Sequence, residues 1–227
     1  NHAVISITAF SACLTLEPSS PRRYRALMYK SLITAIAALL TIITGPALAH
    51  PHVWVTGTAS FQIEETKLTG IGMRWQFDAF FSQVLGADFD TNADGTFDAT
   101  ETQAMKDQVF TSLKDYDYFT HLRTDTSNTE QTFTQVENFA ISDDKGEMVF
   151  SFDLKLASPI DPTIESVGLS LYDPTIYVDL ILGGDKPVEF AGAGELQCNL
   201  EYRQGDEINS QSYFITPQEV WLNCSAG

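Results

Sequence analysis

From Val53 to Ile63 the sequence alternates without a break. Val53, Val55, Gly57, Ala59, Phe61 and Ile63 fall on one side; Trp54, Thr56, Thr58, Ser60 and Gln62 fall on the other. Side chains of an extended chain leave on opposite faces in turn, so this pattern predicts a long strand with one buried face. A polar turn at 64–67 leads into a second alternating run through Ile71, Met73, Trp75 and Phe77, which predicts a hairpin. The period then changes. Phe77, Phe80, Phe81, Val84 and Leu85 stand at helical spacing, and so do Met105, Val109, Leu113 and Tyr116. Alternation returns at Met148, Phe150, Phe152, Leu154 and Leu156, after a Lys145-Gly146 turn. It recurs at Val167, Leu169 and Leu171, and at Ile176, Val178, Leu180 and Leu182. Strands, two helices and strands again, without βαβ alternation, predict an α+β fold built on antiparallel sheet.

Between the two expected helices, residues 90–101 read DTNADGTFDATE. Asp90, Asn92 and Asp94 occupy positions one, three and five of a twelve-residue calcium loop, with Gly95 at six. Thr96 offers its carbonyl at seven, Asp98 stands at nine, and Glu101 closes the loop at twelve. Calcium is a hard ion that takes six to eight oxygens, and this spacing turns the odd-numbered side chains toward one point. The sequence therefore predicts an EF-hand over about 78–115 that binds calcium. One loop in an exported protein favours a structural role over signalling.

Export is expected from the amino-terminal part. Lys30 precedes the uncharged run LITAIAALLTII at 32–43, which Gly45 and Pro46 interrupt before Ala47-Leu48-Ala49. This is the layout of a secretory signal peptide over 28–49, with 1–27 as an upstream segment outside the mature protein. The apolar run is too short for a typical membrane span. Cleavage after Ala49 leaves 178 residues, 50–227, as one periplasmic domain with nine basic and 29 acidic side chains. The whole chain carries a net charge of −17, which disfavours nucleic acid and anionic membrane surfaces and favours cations. No direct membrane insertion is expected after cleavage. Cys198 and Cys224 are the cysteines that remain, and an even pair in an oxidising compartment predicts a disulfide.

The same cleavage would make His50 the first residue, opening the mature chain with His-Pro-His. A terminal His offers an amine and a ring nitrogen to one metal, and His52 adds a second imidazole; such nitrogen-rich sets suit copper, zinc or nickel/cobalt. Pro51 has no backbone N–H, which excludes a square-planar site built through two deprotonated amides. His121 is a candidate third ligand.

Several motifs stand in a characteristic order: HPHVWV at 50–55, RWQFDAFFS at 74–82, the acidic loop, YDYFTHLR at 116–123 and LYDPTIYVDL at 171–180. In this the chain resembles the bacterial domain-of-unknown-function family numbered 1007, periplasmic components of an uncharacterised ABC-type transport system. The resemblance implies a periplasmic location and a membrane metal-ion permease or transporter as partner.

Three function classes follow. The leading expectation is a periplasmic metal-handling accessory that carries calcium as a staple and a divalent transition metal at its amino terminus. The second is a calcium-stabilised interaction module without a transition metal, presenting aromatic segments 116–119 and 172–177 to a protein partner. The third is a copper enzyme using the terminal His. No catalytic residues are assigned: Ser/His/Asp and Cys/His nucleophile arrangements, Gly-rich phosphate loops and HExxH are missing from the sequence. Tyr172-Asp173-Pro174 reads as a turn, given proline's fixed φ.

Overall fold

The computed structural model describes residues 52–127, 130–210 and 213–227. The expected leader and His50 lie outside the described residues. The predicted hairpin is present: β1 (Val53–Glu64) pairs antiparallel with β2 (Lys67–Phe77), and the predicted inward face of β1 is buried from Val53 to Ile63. β2 pairs with β5 (Glu147–Ile160), and β5 with β4 (Phe133–Asp144) across the Lys145-Gly146 turn. Both turn residues have positive φ, 60° and 88°, as a two-residue hairpin connection between twisted strands requires.

The larger sheet has the order β4-β5-β2-β1-β7, where β7 is Val178–Leu182, and β8 (Val188–Ala191) pairs with β1 further along. The fold is α+β as predicted, but the expectation of purely antiparallel sheet needs correction, because β7 and β8 both run parallel to β1. β1 has 12 residues, so one edge of it can take two short strands in succession. β7 arrives after the chain has travelled through a second sheet, the kind of long crossover that parallel pairing needs.

That second sheet has the order β3-β6-β12-β9, from β3 (Thr120–Thr124), β6 (Val167–Leu171), β12 (Gln218–Ser225) and β9 (Gln197–Gln204). A small hairpin of β10 (Ile208–Ser210) and β11 (Tyr213–Ile215) precedes β12. The predicted disulfide joins Cys198 to Cys224, which face each other directly across β9 and β12. Both sheets contribute to one apolar core. Gly57 of β1 is a point of close approach: a Cβ there would stand 2.7 Å from Leu171 Cδ1 at the end of β6. Trp75 lies at the core centre, edge-on to Phe152 and stacked on Phe119.

The helices differ in phase from the sequence expectation. In α1 (Ala79–Phe89) Leu85 is buried, but Phe80 is 72% exposed and Val84 faces solvent. The Asp78 carboxylate caps this helix by accepting the N–H groups of Phe80 and Phe81, and Ser82 turns inward to accept the Met148 N–H. That capped start rotates Phe80 off the sheet. α2 (Ala99–Met105) is followed by one wide π turn at Lys106–Phe110. The wide turn shifts the phase by one residue, so Phe110 is buried while Val109 is only partly so.

Tighter coil then runs to Phe119, where Asp117, Tyr118 and Phe119 have φ of 49°, 51° and 50°. Left-handed backbone costs about 1–2 kcal/mol per residue. Here it is offset by packing, with Phe119 on Trp75 and Tyr118 stacked on Phe110 at 5.1 Å between ring centroids.

Candidate functional site

The acidic loop is shaped by its own backbone. Asp90 ends α1, and its two carboxylate oxygens accept the N–H groups of Asp94 and Gly95. Asn92 Oδ1 also accepts from Asp94 N–H, and Asp94 accepts both the N–H and the hydroxyl of Thr96. These bonds from Thr96 hold the Asp94 carboxyl below the ordinary carboxylate range. Ala93 and Gly95 take positive φ of 57° and 79°, and the successive N–H groups of Asp94 and Gly95 both face the Asp90 carboxylate.

Glu101 is 3% exposed. Its Oε1 accepts the hydroxyl and N–H of Thr91, each at 2.8 Å, and its Oε2 accepts Asp98 N–H at 3.1 Å. The Thr91 hydroxyl and the Asp98 N–H lower its pKa. Asp98 is turned the other way: it caps α2 by accepting from Thr100 and Glu101 N–H, so it and Glu101 form a reciprocal capping box. Asp90, Asn92, Asp94 and Glu101 thus each accept N–H groups of the loop, while Asp98 secures the exit helix. As they stand, no three His, Cys, Asp or Glu side chains among the described residues converge as a metal cluster.

The histidines go to separate places. His52 is exposed just before β1; its N–H donates to the Tyr177 carbonyl and its ring lies 4.8 Å from the Tyr177 ring. His121 is on β3, stacked on Tyr172 at 3.6 Å and 11°. Its Nδ1 meets the Glu130 carboxylate at 3.0 Å and its Nε2 meets the Tyr172 carbonyl at 3.1 Å. Both partners are acceptors when Glu130 is ionised, so a neutral imidazole satisfies one of them and the doubly protonated ring satisfies both. A metal at either nitrogen would displace a bond the protein already makes. Burial, with help from Glu130, pushes the Tyr172 hydroxyl up to about 12.

His121 belongs to an ordered outer face. Strand register places His121, Ser170, Glu219 and Arg203 in one row across β3, β6, β12 and β9, and Arg123, Gly168, Trp221 and Glu201 in the next. The Arg123 and Arg203 guanidinium groups both lie over the Trp221 ring, at 5.4 and 5.1 Å, and its Nε1–H donates to Glu219. Arg123 pairs with Glu219 at 2.7 Å. A cavity of about 160 Å³ opens between this face, Glu130 and Tyr172. Sequence reasoning missed these partners because it assigned no strand to 120–124. The alternation of Thr120, Leu122 and Thr124 against His121 and Arg123 is the signal that would have found them.

An α+β fold of two sheets, a capped acidic loop and a polar outer face define the class. The model of the family described as "Protein of unknown function (DUF1007)" matches residues 35–219, and the chain belongs to that family. The chain is similar to an uncharacterized protein of Haemophilus influenzae, 28% identical over 144 residues, covering 63% of this chain and 68% of that one. It is also similar to an uncharacterized 15.5 kDa protein in the trpE 3' region of Spirochaeta aurantia, 33% identical over 138 residues, covering 61% and 96% respectively. Among the described residues no helix is long and apolar enough to cross a membrane, and the disulfide suits an oxidising compartment.

Proposed function

We propose that this is an exported, periplasmic calcium-binding protein whose 90–101 loop takes one calcium ion in EF-hand fashion, and that the ion staples α1 to α2. The observation that carries this reading is Glu101, a buried carboxylate at position twelve that reaches back to Thr91 at position two. The donor set is all oxygen, as a hard cation requires: Asp90, Asn92 and Asp94 side chains, the Thr96 carbonyl and Glu101, with Asp98 at the position that often acts through water. When calcium binds, Glu101 would exchange Thr91 for the ion.

Calcium titration followed by calorimetry and thermal unfolding tests this. Extracellular sites bind at about 10⁻⁴–10⁻³ M. At 100-fold excess over Kd the ion adds about 2.7 kcal/mol of stability, which raises Tm by about 5–10 °C for a domain of this size. Magnesium at the same concentration should do much less. No heat and no shift in Tm with calcium would end the proposal.

A second reading adds a transition metal for delivery to, or receipt from, a membrane metal-ion transporter. It narrows to His50 and His52, because His121 is engaged by Glu130 and Tyr172. Metal content of protein purified without chelator or affinity tag, beside a His50→Ala variant, decides it. Near-stoichiometric copper, zinc, nickel or cobalt lost with His50 supports it. Calcium alone in both removes it and leaves the interaction module.

A further inference from the structure

We propose that the open edge of β7 is a docking site for an extended segment of a basic partner protein, which adds to the larger sheet as one more strand. This goes beyond the calcium reading and does not depend on it. β7 ends the strand order β4-β5-β2-β1-β7, so one of its edges has no neighbouring strand among the described residues. Which groups that edge presents follows from two bonds. Gly183 N–H donates to Gly57 O, and Tyr177 O accepts from His52, so odd-numbered residues here turn their backbone toward β1. With period two, Asp179 and Ile181 also face β1, while Leu180 and Leu182 direct N–H and C=O away from it. The Val178 N–H points the same outward way and is taken by the Asp173 carboxylate at 2.9 Å.

That edge borders a groove of about 550 Å³ whose far wall is residues 215–218. The volume is in the range of ordinary ligand clefts, and five strand residues give about 17 Å of edge to pair along. The turn that leads into β7 and lines the groove is held by a dense set of hydrogen bonds. Asp173 is 2% exposed and accepts from Thr175 N–H, the Thr175 hydroxyl, Tyr177 N–H and Val178 N–H. Within this turn Ile176 is forced to φ 57°, an outlier for a β-branched residue and the kind of strain found at ligand clamps. The Ser210 hydroxyl donates to the Pro174 carbonyl, tying the β10–β11 hairpin to the same turn.

The occupant is indicated by shape and charge. An extended chain is what satisfies alternate N–H and C=O groups on a strand edge, and apolar lining such as Leu180, Ile215 and Pro217 favours apolar side chains at alternate positions. Of the charged residues lining the groove, Asp173 is buried and spent on its own turn, while Asp179 is an exposed acid, in a chain of net charge −17. A second copy would bring like charge against like; a segment carrying Lys or Arg is complementary.

Selection of a phage-displayed random heptapeptide library on the immobilised protein is the test. Expected are sequences with apolar residues at alternate positions and at least one Lys or Arg. A synthetic peptide of the selected sequence should slow amide exchange at Leu180 and Leu182 tenfold or more and leave β3 and β6 unchanged. Asp179→Lys should weaken that peptide at least fivefold. Leu182→Pro removes an open donor without touching the β1 pairing and should weaken it about tenfold; if that variant does not fold, Asp179→Lys decides. Selected sequences without alternation, protection that falls elsewhere, or equal binding by the variants would overturn the proposal. A concentration-dependent dimer with Leu180 and Leu182 already protected would also overturn it, by giving the edge to a second copy.

Discussion

The Glu101 carboxylate takes both the N–H and the hydroxyl of Thr91, each at 2.8 Å, so the last residue of the acidic loop is bonded to its second. The group that a calcium ion would need for bidentate closure is therefore held inside the loop before any ion arrives. Glu101→Gln keeps the shape and removes the charge. We expect the calcium-induced rise in Tm to fall below a quarter of its unsubstituted value, read by thermal unfolding at fixed calcium concentration.

Acid should loosen the same loop. The carboxyls of Asp94 and Glu101 are lowered from their ordinary values of 3.8 and 4.5 by hydrogen bonds to their charged forms. A depressed carboxyl contributes stability that is complete above its unfolded value and is lost as pH falls through its folded value. Chemical unfolding measured between pH 7 and pH 3 should therefore be flat to about pH 5 and then decline. In Glu101→Gln the decline should be shallower; an unchanged slope would place the acid sensitivity elsewhere.

Gly168 makes room for Trp221. A Cβ at 168 would stand 2.7 Å from Trp221 Cε2 and 2.8 Å from Cζ2, closer than real contacts allow. Gly168→Ala must push the indole away from β6 and disturb its contacts with Arg123 and Arg203, and overpacking of this kind costs about 1–3 kcal/mol. Urea unfolding should show that loss, together with a change in tryptophan fluorescence.

Asp173 is a stability residue with a countable load. Asp173→Ala leaves the N–H groups of Thr175, Tyr177 and Val178 without their acceptor. At about 1–3 kcal/mol per stranded group, we expect a loss of at least about 3 kcal/mol by urea unfolding. Asp173→Asn, which keeps one acceptor oxygen, should lose less.

Reduction should act on the second sheet. The Cys198–Cys224 bridge spans 26 residues, and closing a loop of that length is worth about 3 kcal/mol in the chain-entropy model. Cys198→Ala with Cys224→Ala should lower stability by that order, with faster amide exchange in β9 and β12 than in β1 and β2.

Strands with one buried face were legible in the sequence, because alternation from Val53 to Ile63 and from Met148 to Leu156 reports burial directly. β9 and β4 were not, since much of each is exposed and their apolar residues carry little pattern. The parallel placement of β7 was hidden for a different reason: its alternation is clear, but direction depends on where the intervening chain has travelled. Phe80 misled because the helix starts at a cap, where one Asp78 oxygen accepts two N–H groups, with Phe80 left facing solvent. The polar turn at 90–101 was legible, since its hydrogen bonds are local; the use of Asp98 to cap α2 was not. His121 was visible as a residue, but Glu130 and Tyr172 reach it from separate segments of chain.

The three left-handed residues at 117–119 do more than redirect the chain: they set the phase of everything in β3. Thr120, Leu122 and Thr124 are buried, and His121 and Arg123 point outward. A strand has two faces and no intermediate, so deleting one residue from this turn would exchange them. The imidazole and guanidinium would then be driven into the apolar interior and Leu122 onto the surface. The turn is thus a length standard, and the number of residues it contains is as much a part of the fold as any side chain it carries.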